Sequence, residues 1–182
     1  ISFDLMNPLV MMGVFVGMSI PVIFSAMIIL GVSKNAFRMI EEIRRQFKEI
    51  KGLREGKTKA DSSKCVDIAA KGAIKSMMFP GVLAILIPIF VGFFLGPVAL
   101  GGLLMGALIT GLSLGIQTAN SGAALDNAKK YIEEGAHGGK GSKAHAAGVI
   151  ADTIGDPLKD TAGPSLNILI KLMSVLSVIT VG

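Results

Sequence analysis

Two long stretches of this 182-residue chain contain no charged side chain. Asp, Glu, Lys, Arg and His are all absent from residues 5–33 and from the fifty residues 76–125. A third stretch, residues 161–182, has a single charge, Lys171. A helix needs about 20 apolar residues to cross a bilayer. The charge-free runs therefore exclude an ordinary soluble domain, in which charges are scattered along the chain.

Cysteine and histidine are nearly absent as well. The single Cys65 cannot form an internal disulfide, and His137 and His145 have no Cys or His partners at ligand spacing, so we do not expect a zinc site. The glycine-rich residues 135–142 lack the Gly-Lys-Ser/Thr ending of a nucleotide-binding loop, so a flexible turn is predicted there. The start of the chain also lacks the pattern of a cleavable secretory signal.

The hydropathy pattern predicts an all-α protein, a polytopic bundle with four transmembrane helices. The second and third spans are expected to be joined by a fold at Gly96-Pro97 or at Gly101-Gly102, and the first helix is expected to continue past the membrane through Phe47. The chain begins and ends in apolar sequence, so a fragment of a longer polytopic protein is expected. The predicted spans are residues 5–33, 72–96, 98–125 and 150–182, and the predicted loops are residues 34–71 and 126–149.

Basic residues predict the orientation. Residues 34–64 hold ten Lys and Arg, and residues 126–160 hold five. Because loops rich in Lys and Arg stay in the cytoplasm, both loops are expected there. This asymmetry accounts for the net charge of +5 without a nucleic-acid partner.

Two local patterns predict how the helices are used. Charges alternate in sign at helical spacing over residues 41–46, which is typical of a solvated helix face. Glycines recur along the third span at residues 101, 106, 111 and 115, and small residues let helices approach closely in lipid. Polar residues also recur along this span at steps of three or four, at residues 110, 113, 117 and 120, so the third span is expected to lie inside the bundle.

Three carboxylates, Asp152, Asp156 and Asp160, follow one another at four-residue spacing beside the last span. Such spacing puts them on one helix face, where they repel each other unless a cation or several lysines neutralise them. Oxygen ligands suit Mg²⁺ or Ca²⁺, and Lys159 offers a cation suited to phosphate oxygens. Pro157 and Pro164 lack the amides that would bond the carbonyls of Thr153 and Asp160, so a locally opened backbone is expected.

Two further groups belong to this region. Asp126 lies one turn before Lys129 and Lys130, a spacing whose simplest interpretation is a salt bridge within the helix. Asn167 and Lys171 lie seven and eleven residues after Asp160, within roughly 20° of it on an ideal helix. Because a lysine inside a membrane is costly, Lys171 is a functional candidate.

The sequence resembles the membrane-bound, ion-pumping pyrophosphatases. The residues that carry the resemblance are 120–133 (NSGAALDNAKKYIE) and 152–171 (DTIGDPLKDTAGPSLNILIK), with further similarity at 21–26 and 41–47. The family's Gly-Gly-Ala-Trp before the first Asp is Gly122-Ala123-Ala124-Leu125 here, and an Asp-Val-Gly-Ala-Asp-like motif is absent.

The resemblance implies a homodimer with about sixteen transmembrane helices per subunit, of which this chain would be the last four. Such a protein would hydrolyse pyrophosphate with Mg²⁺, with K⁺ or Na⁺ as a further activating ion, and move H⁺ or Na⁺ across the membrane. The membrane would be a cell inner membrane or that of an acidic organelle such as the vacuole, with the active site facing the cytoplasm. This chain alone, without its N-terminal helices, is expected to be inactive.

The resemblance also implies residue roles. Asp126, Asp152 and Asp156 would hold Mg²⁺, and Lys129 and Lys159 would bind pyrophosphate. Asp160 would orient and deprotonate the attacking water, and Lys171 would belong to the ion gate. Two alternatives remain: a channel or carrier for divalent cations, and a purely structural bundle.

Overall fold

The computed structural model describes residues 4–181, with side chains described as far as residue 180. The all-α prediction is confirmed, because no β-strand occurs within residues 4–181. The helices are α1 (Pro8–Glu49), α2 (Ser62–Glu133), α3 (Lys143–Asp156) and α4 (Gly163–Val181), with a 3-10 turn at Ala136–Gly138 and a π-helical segment at Pro157–Ala162 that joins α3 to α4.

Helix α1 begins at a capped proline and extends well beyond the first apolar run. The Asn7 side chain accepts a hydrogen bond from the Leu9 amide at 2.9 Å. Pro8 occupies the first turn. Amide groups in the first turn have no hydrogen-bond partner within the helix, so the missing amide hydrogen of proline costs no hydrogen bond there. The helix ends only at Glu49, so the predicted continuation through Phe47 is confirmed.

Helix α2 is broken at Gly96. An unbroken 72-residue helix would be about 108 Å long (72 × 1.5 Å), far more than the roughly 30 Å of a hydrocarbon core. Gly96 leaves the helical conformation at φ 84° and ψ 175°, which glycine tolerates because it has no Cβ. The break lies at the first of the two predicted fold positions. We call the parts before and after Gly96 the first and second arms of α2.

The two arms run in opposite directions along α1. Residue numbers fall along α1 as they rise along the first arm, whereas they rise together along the second arm. The contacts are Asn35 with Ala69 and Gly31 with Ser76 for the first arm, and Val10 with Gly102 and Val14 with Gly106 for the second. Three helices within residues 4–180 are long and apolar enough to cross a membrane. Because Gly96 divides the longest of them, this integral membrane chain makes four passes.

Close helix contact depends on glycine in the second arm. A Cβ placed on Gly106 would lie 2.9 Å from the backbone nitrogen of Met18 and 3.0 Å from the carbonyl carbon of Val14. Both distances are below ordinary van der Waals contact, so only glycine permits this approach. The predicted role of Gly106 in helix packing is confirmed. Gly115 differs, because a Cβ there would meet only the Leu166 Cβ at 4.0 Å.

The predicted solvated face over residues 41–46 is wrong for two of its members. Glu42 and Gln46 are buried, with exposed fractions of 7% and 2%. The Gln46 amide bonds to Glu42 at 2.9 Å, and it also bonds to both the backbone amide and the carbonyl of Asp61, at 2.9 Å and 3.0 Å. Arg45 completes the cluster with a 2.6 Å ion pair to Glu42. This side of α1 therefore anchors the loop that leads into α2.

Candidate functional site

The glycine-rich turn after α2 brings α3 back against the second arm. Four glycines between residues 135 and 141 have positive φ, which confirms the predicted turn. His145 fastens it, because its Nδ1 accepts a hydrogen bond from the Gly141 amide at 3.1 Å. Its Nε2 must then carry the proton, and it lies 2.9 Å from Glu133. This hydrogen bond lowers the pKa of Glu133.

Two glycines allow α2 to touch the chain that follows α3. A Cβ on Gly122 would lie 2.5 Å from the Gly155 carbonyl oxygen and 2.6 Å from the Lys159 Cβ. A Cβ on Gly155 would in turn lie 3.2 Å from the Gly122 Cα. The helix backbones therefore nearly touch just where the acidic residues begin.

The backbone changes its winding next to this contact. Residues Pro157–Ala162 form a π-helical segment between α3 and α4. Pro157 has no amide hydrogen for the Thr153 carbonyl, so the regular α-helical bond cannot form there. The predicted local opening thus takes the form of a π segment, a feature that often occurs at functional sites. It carries both Lys159 and Asp160.

Two lysines join carboxylates across the helices. Lys129 on α2 forms an ion pair with Asp152 on α3. Lys159 on the π segment reaches back to Asp126 on α2, with 2.8 Å between Nζ and Oδ2. The salt bridge predicted within α2 is also present, since Lys130 lies 2.9 Å from Asp126. The sequence elements at 126–130 and 152–159 therefore form one cluster.

This pairing shifts the pKa values of Asp126 and Lys129 in the direction that keeps both groups charged. Hydrogen bonds from Lys159 and then Lys130 lower the pKa of Asp126 to about 2. The Asp152 carboxylate raises the pKa of Lys129. Lys129 is consequently cationic at neutral pH.

The three predicted carboxylates lie in different surroundings. Asp152 is 7% exposed, whereas Asp156 and Asp160 are open to solvent, with side chains 52% and 63% exposed. The Lys159 Nζ lies 4.0 Å from Asp156 and 3.9 Å from Asp160. The cation that the acidic spacing requires is thus supplied in part by a lysine of the same segment.

The donor set fits a divalent cation that is shared with a phosphate ligand. The Oδ1 atom of Asp152 is buried and has no hydrogen-bond partner, which is costly for a carboxylate oxygen. Across residues 4–181, no three Asp, Glu, His or Cys side chains are grouped closely enough to enclose a metal by themselves. Mg²⁺ commonly uses one or two carboxylates together with phosphate oxygens, and such a site requires no third carboxylate.

A groove leads from this cluster along α4. Its volume is about 410 Å³, and its lining includes Lys159, Asn167 and Ile170. Lys171 is exposed and is not part of this lining. On an ideal helix, Asp160 and Asn167 would lie on the same face. The π segment changes the winding of the helix between them. As a result Lys159, and not Asp160, lines the groove together with Asn167.

Comparison with known proteins identifies the family. The family described as inorganic H⁺ pyrophosphatase matches residues 1–180. The chain belongs to this pyrophosphatase family. It is 56% identical to a Clostridium tetani relative over 178 residues, which are 98% of this chain and 26% of that protein.

Two more relatives have names that state different ion specificities. A K⁺-stimulated pyrophosphate-energized sodium pump of Thermotoga maritima is 52% identical over 98% of the chain and 25% of that protein. A K⁺-insensitive pyrophosphate-energized proton pump of Methanosarcina mazei is 49% identical over 98% of the chain and 26% of that protein. The chain therefore spans about a quarter of the length of these relatives.

Sequence reasoning missed the residues that position the site. Gly155 and the His145–Glu133 pair hold α3 against α2. Neither belongs to the four-residue series of carboxylates or to a recognisable metal-binding motif. The seven-residue step from Gly148 to Gly155, two turns on the face toward α2, was the available signal, because small residues that recur on one helix face permit close helix packing.

Proposed function

We propose that this chain is the C-terminal part of a membrane pump that couples Mg²⁺-dependent hydrolysis of pyrophosphate to transport of H⁺ or Na⁺ out of the cytoplasm. The observation that carries the proposal is the crossed pairing of Lys129 with Asp152 and of Lys159 with Asp126. It gathers two cations and several carboxylates at the end of the apolar passes. The family match and the names of the relatives supply the substrate class.

In this proposal the lysines bind the substrate. Lys129 and Lys159 are cationic and partly exposed, with side chains 22% and 26% accessible, so both can exchange a carboxylate partner for a phosphate oxygen. Hydrogen bonds between a cation and a phosphate are among the strong ones in proteins. Their pairing with Asp152 and Asp126 preorganises them before substrate arrives.

The carboxylates take two roles. Asp126, Asp152 and Asp156 would hold Mg²⁺, which when bound neutralises phosphate charge. Asp160 lies furthest along the segment and has a solvent-accessible carboxylate. We propose that it orients the attacking water and accepts its proton. Lys171, further along α4, belongs to the ion gate.

The surroundings of the site follow from the same proposal. The two basic loops, residues 34–71 and 126–149, face the cytoplasm, since such loops are retained there. The complete pump is a homodimer whose N-terminal helices supply the remaining ligands, and it lies in a cell inner membrane or in that of an acidic organelle. A carrier of divalent cations would leave the lysines that face the carboxylates without a purpose.

The test uses the complete pump in membrane vesicles. Asp160→Asn should lower Mg²⁺-dependent phosphate release from pyrophosphate by about 100-fold or more, the usual worth of a general base. Asp67→Asn, which removes an exposed carboxylate paired with Lys71 on the first arm, should leave release unchanged. Lys171→Ala should retain hydrolysis but reduce ion transport per phosphate released.

Three results would contradict the proposal. Full hydrolysis by Asp160→Asn would show that Asp160 does not activate the attacking water. Unchanged ion transport per phosphate released in Lys171→Ala would show that Lys171 is not part of the ion gate. Uptake of divalent cations with no release of phosphate would favour the carrier. Repeating the assay with Na⁺ and K⁺ varied separately identifies the transported and activating ions.

A further inference from the structure

A second polar cavity lies away from the candidate site, between α1 and the first arm of α2. Its volume is about 240 Å³, and three cationic residues line it: Lys34, Arg38 and Lys75. We call it the basic groove. Lys34 directly follows one charge-free run and Lys75 directly precedes the next. The basic groove therefore lies where two membrane passes meet water.

The cations of the basic groove have no anionic partner within the described part of the chain. The ion pairs found among residues 4–181 include none of the three. Lys71, one turn before Lys75, is instead paired with Asp67 at 2.8 Å. Three like charges around one cavity repel each other, and a bound anion relieves that repulsion.

An unused hydrogen-bond acceptor also lies in the wall of the basic groove, on Asn35, which packs against Gly72. The Asn35 amide donates to the Ala69 carbonyl at 3.4 Å, and its Oδ1 is buried without a partner. Burying an acceptor in this state is unfavourable. A ligand that carries a hydroxyl group as well as a negative charge would satisfy both the acceptor and the cations.

An apolar slot continues from the basic groove along the membrane passes. Its volume is about 110 Å³, and it shares Met27 and Pro80 with the groove. All of its lining residues are apolar, and they include Phe24, Leu83 and Ile87. A free inorganic anion would use only the groove, whereas a molecule with a charged head and a hydrocarbon tail would use both cavities.

We propose that the basic groove and the apolar slot bind one anionic phospholipid. Lys34, Arg38 and Lys75 hold its phosphate, a headgroup hydroxyl donates to Asn35 Oδ1, and an acyl chain lies in the slot. Basic cavities between membrane helices are suited to such headgroups. This binding does not depend on the hydrolytic site, because that site is built from the second arm of α2, α3 and the π segment.

The experiment measures lipid binding to the complete pump, purified in detergent and stripped of lipid. The probes are short-chain phosphatidylglycerol, the matching phosphatidylcholine and inorganic phosphate, and the readouts are native mass spectrometry and the shift in thermal midpoint. The test variant is Lys34→Gln/Arg38→Gln/Lys75→Gln. The control is Lys51→Gln/Lys57→Gln/Lys59→Gln, which removes the same charge from the adjacent loop.

Wild type and control should prefer phosphatidylglycerol over phosphatidylcholine, and the test variant should lose that preference by about tenfold or more. If the triple variant fails to fold, Asn35→Asp replaces it, because an anion in the basic groove should repel the lipid phosphate.

Four outcomes overturn the proposal. They are an unchanged preference in the folded test variant, an equal loss in the control, inorganic phosphate stabilising the pump as well as the lipid does, and no binding of either lipid to wild type.

Discussion

The contact between Gly122 and the π segment offers a strong test of the site's construction. In Gly122→Ala the new Cβ would lie 2.6 Å from the Lys159 Cβ on this segment, whereas ordinary contact begins at 3.4 Å. The segment must retreat by about 0.8 Å (3.4 − 2.6). If Lys159 moves with its backbone, its 2.8 Å bond to Asp126 lengthens to as much as about 3.6 Å (2.8 + 0.8), beyond hydrogen-bonding range.

The energetic cost can be bracketed with a matched variant. Overpacking of this kind costs about 1–3 kcal/mol, while replacing a helical glycine by alanine returns about 1 kcal/mol. Gly115→Ala, two turns away on the same helix, gains the propensity but meets only the Leu166 Cβ at 4.0 Å. The free energies of unfolding of the two variants should therefore differ by about 1–3 kcal/mol, and Gly122→Ala should be the less stable of the two.

The assay compares both variants in the complete pump. Thermal unfolding in detergent should show a lower midpoint for Gly122→Ala and an equal or higher one for Gly115→Ala. Mg²⁺-dependent phosphate release should fall by up to about 100-fold in Gly122→Ala, because a displacement near 1 Å misplaces binding groups. Equal midpoints and full hydrolysis in Gly122→Ala would refute the reasoning.

Two further predictions concern charged clusters, both read from thermal midpoints of the complete pump. Arg45 and then Gln46 lower the pKa of Glu42 to about 2, so its ionised form stabilises the fold above pH 4.5 and the benefit fades as pH falls toward 2. The midpoint difference between wild type and Glu42→Gln should shrink as pH falls through that window, and a pH-independent difference would contradict this. Lys129→Met leaves the buried Asp152 carboxylate without its ion-pair partner. It should therefore lower the midpoint more than Lys130→Met, which removes a lysine that is 59% exposed. Equal decreases in the two midpoints would contradict this prediction.

Periodicity and charge patterning predicted the helices well because each signal is local. Charge-free runs identify membrane passes from their own residues, and Gly96-Pro97 marks a break in its own backbone. Glu42 and Gln46 are residues for which such local signals gave the wrong prediction. Their charge pattern is typical of a solvated face, but Gln46 binds Asp61, fifteen residues away, and no local period reports that contact.

The candidate site shows the same division. Residue types and spacing pointed to the acidic cluster and its lysines, because like charges on one face require partners. The choice of partners could not be predicted, since Lys129 reaches Asp152 twenty-three residues away and Lys159 reaches Asp126 thirty-three residues away. The π winding also altered which side chains share the groove with Asn167, since angular arithmetic assumes a regular helix.

The break at Gly96 has a consequence for topology. With four passes, an even number, residue 4 and residue 180 end on the same side of the bilayer, and the charged loops lie on the other. A contact between the ends of two passes agrees with this arrangement. The Thr180 Cγ2 atom would lie 2.5 Å from a Cβ built on Gly92, and Gly92 lies beside the turn at Gly96. A reporter attached near residue 180 is thus separated by the full bilayer thickness from Lys129 and Asp152, and it reads the compartment opposite the candidate site.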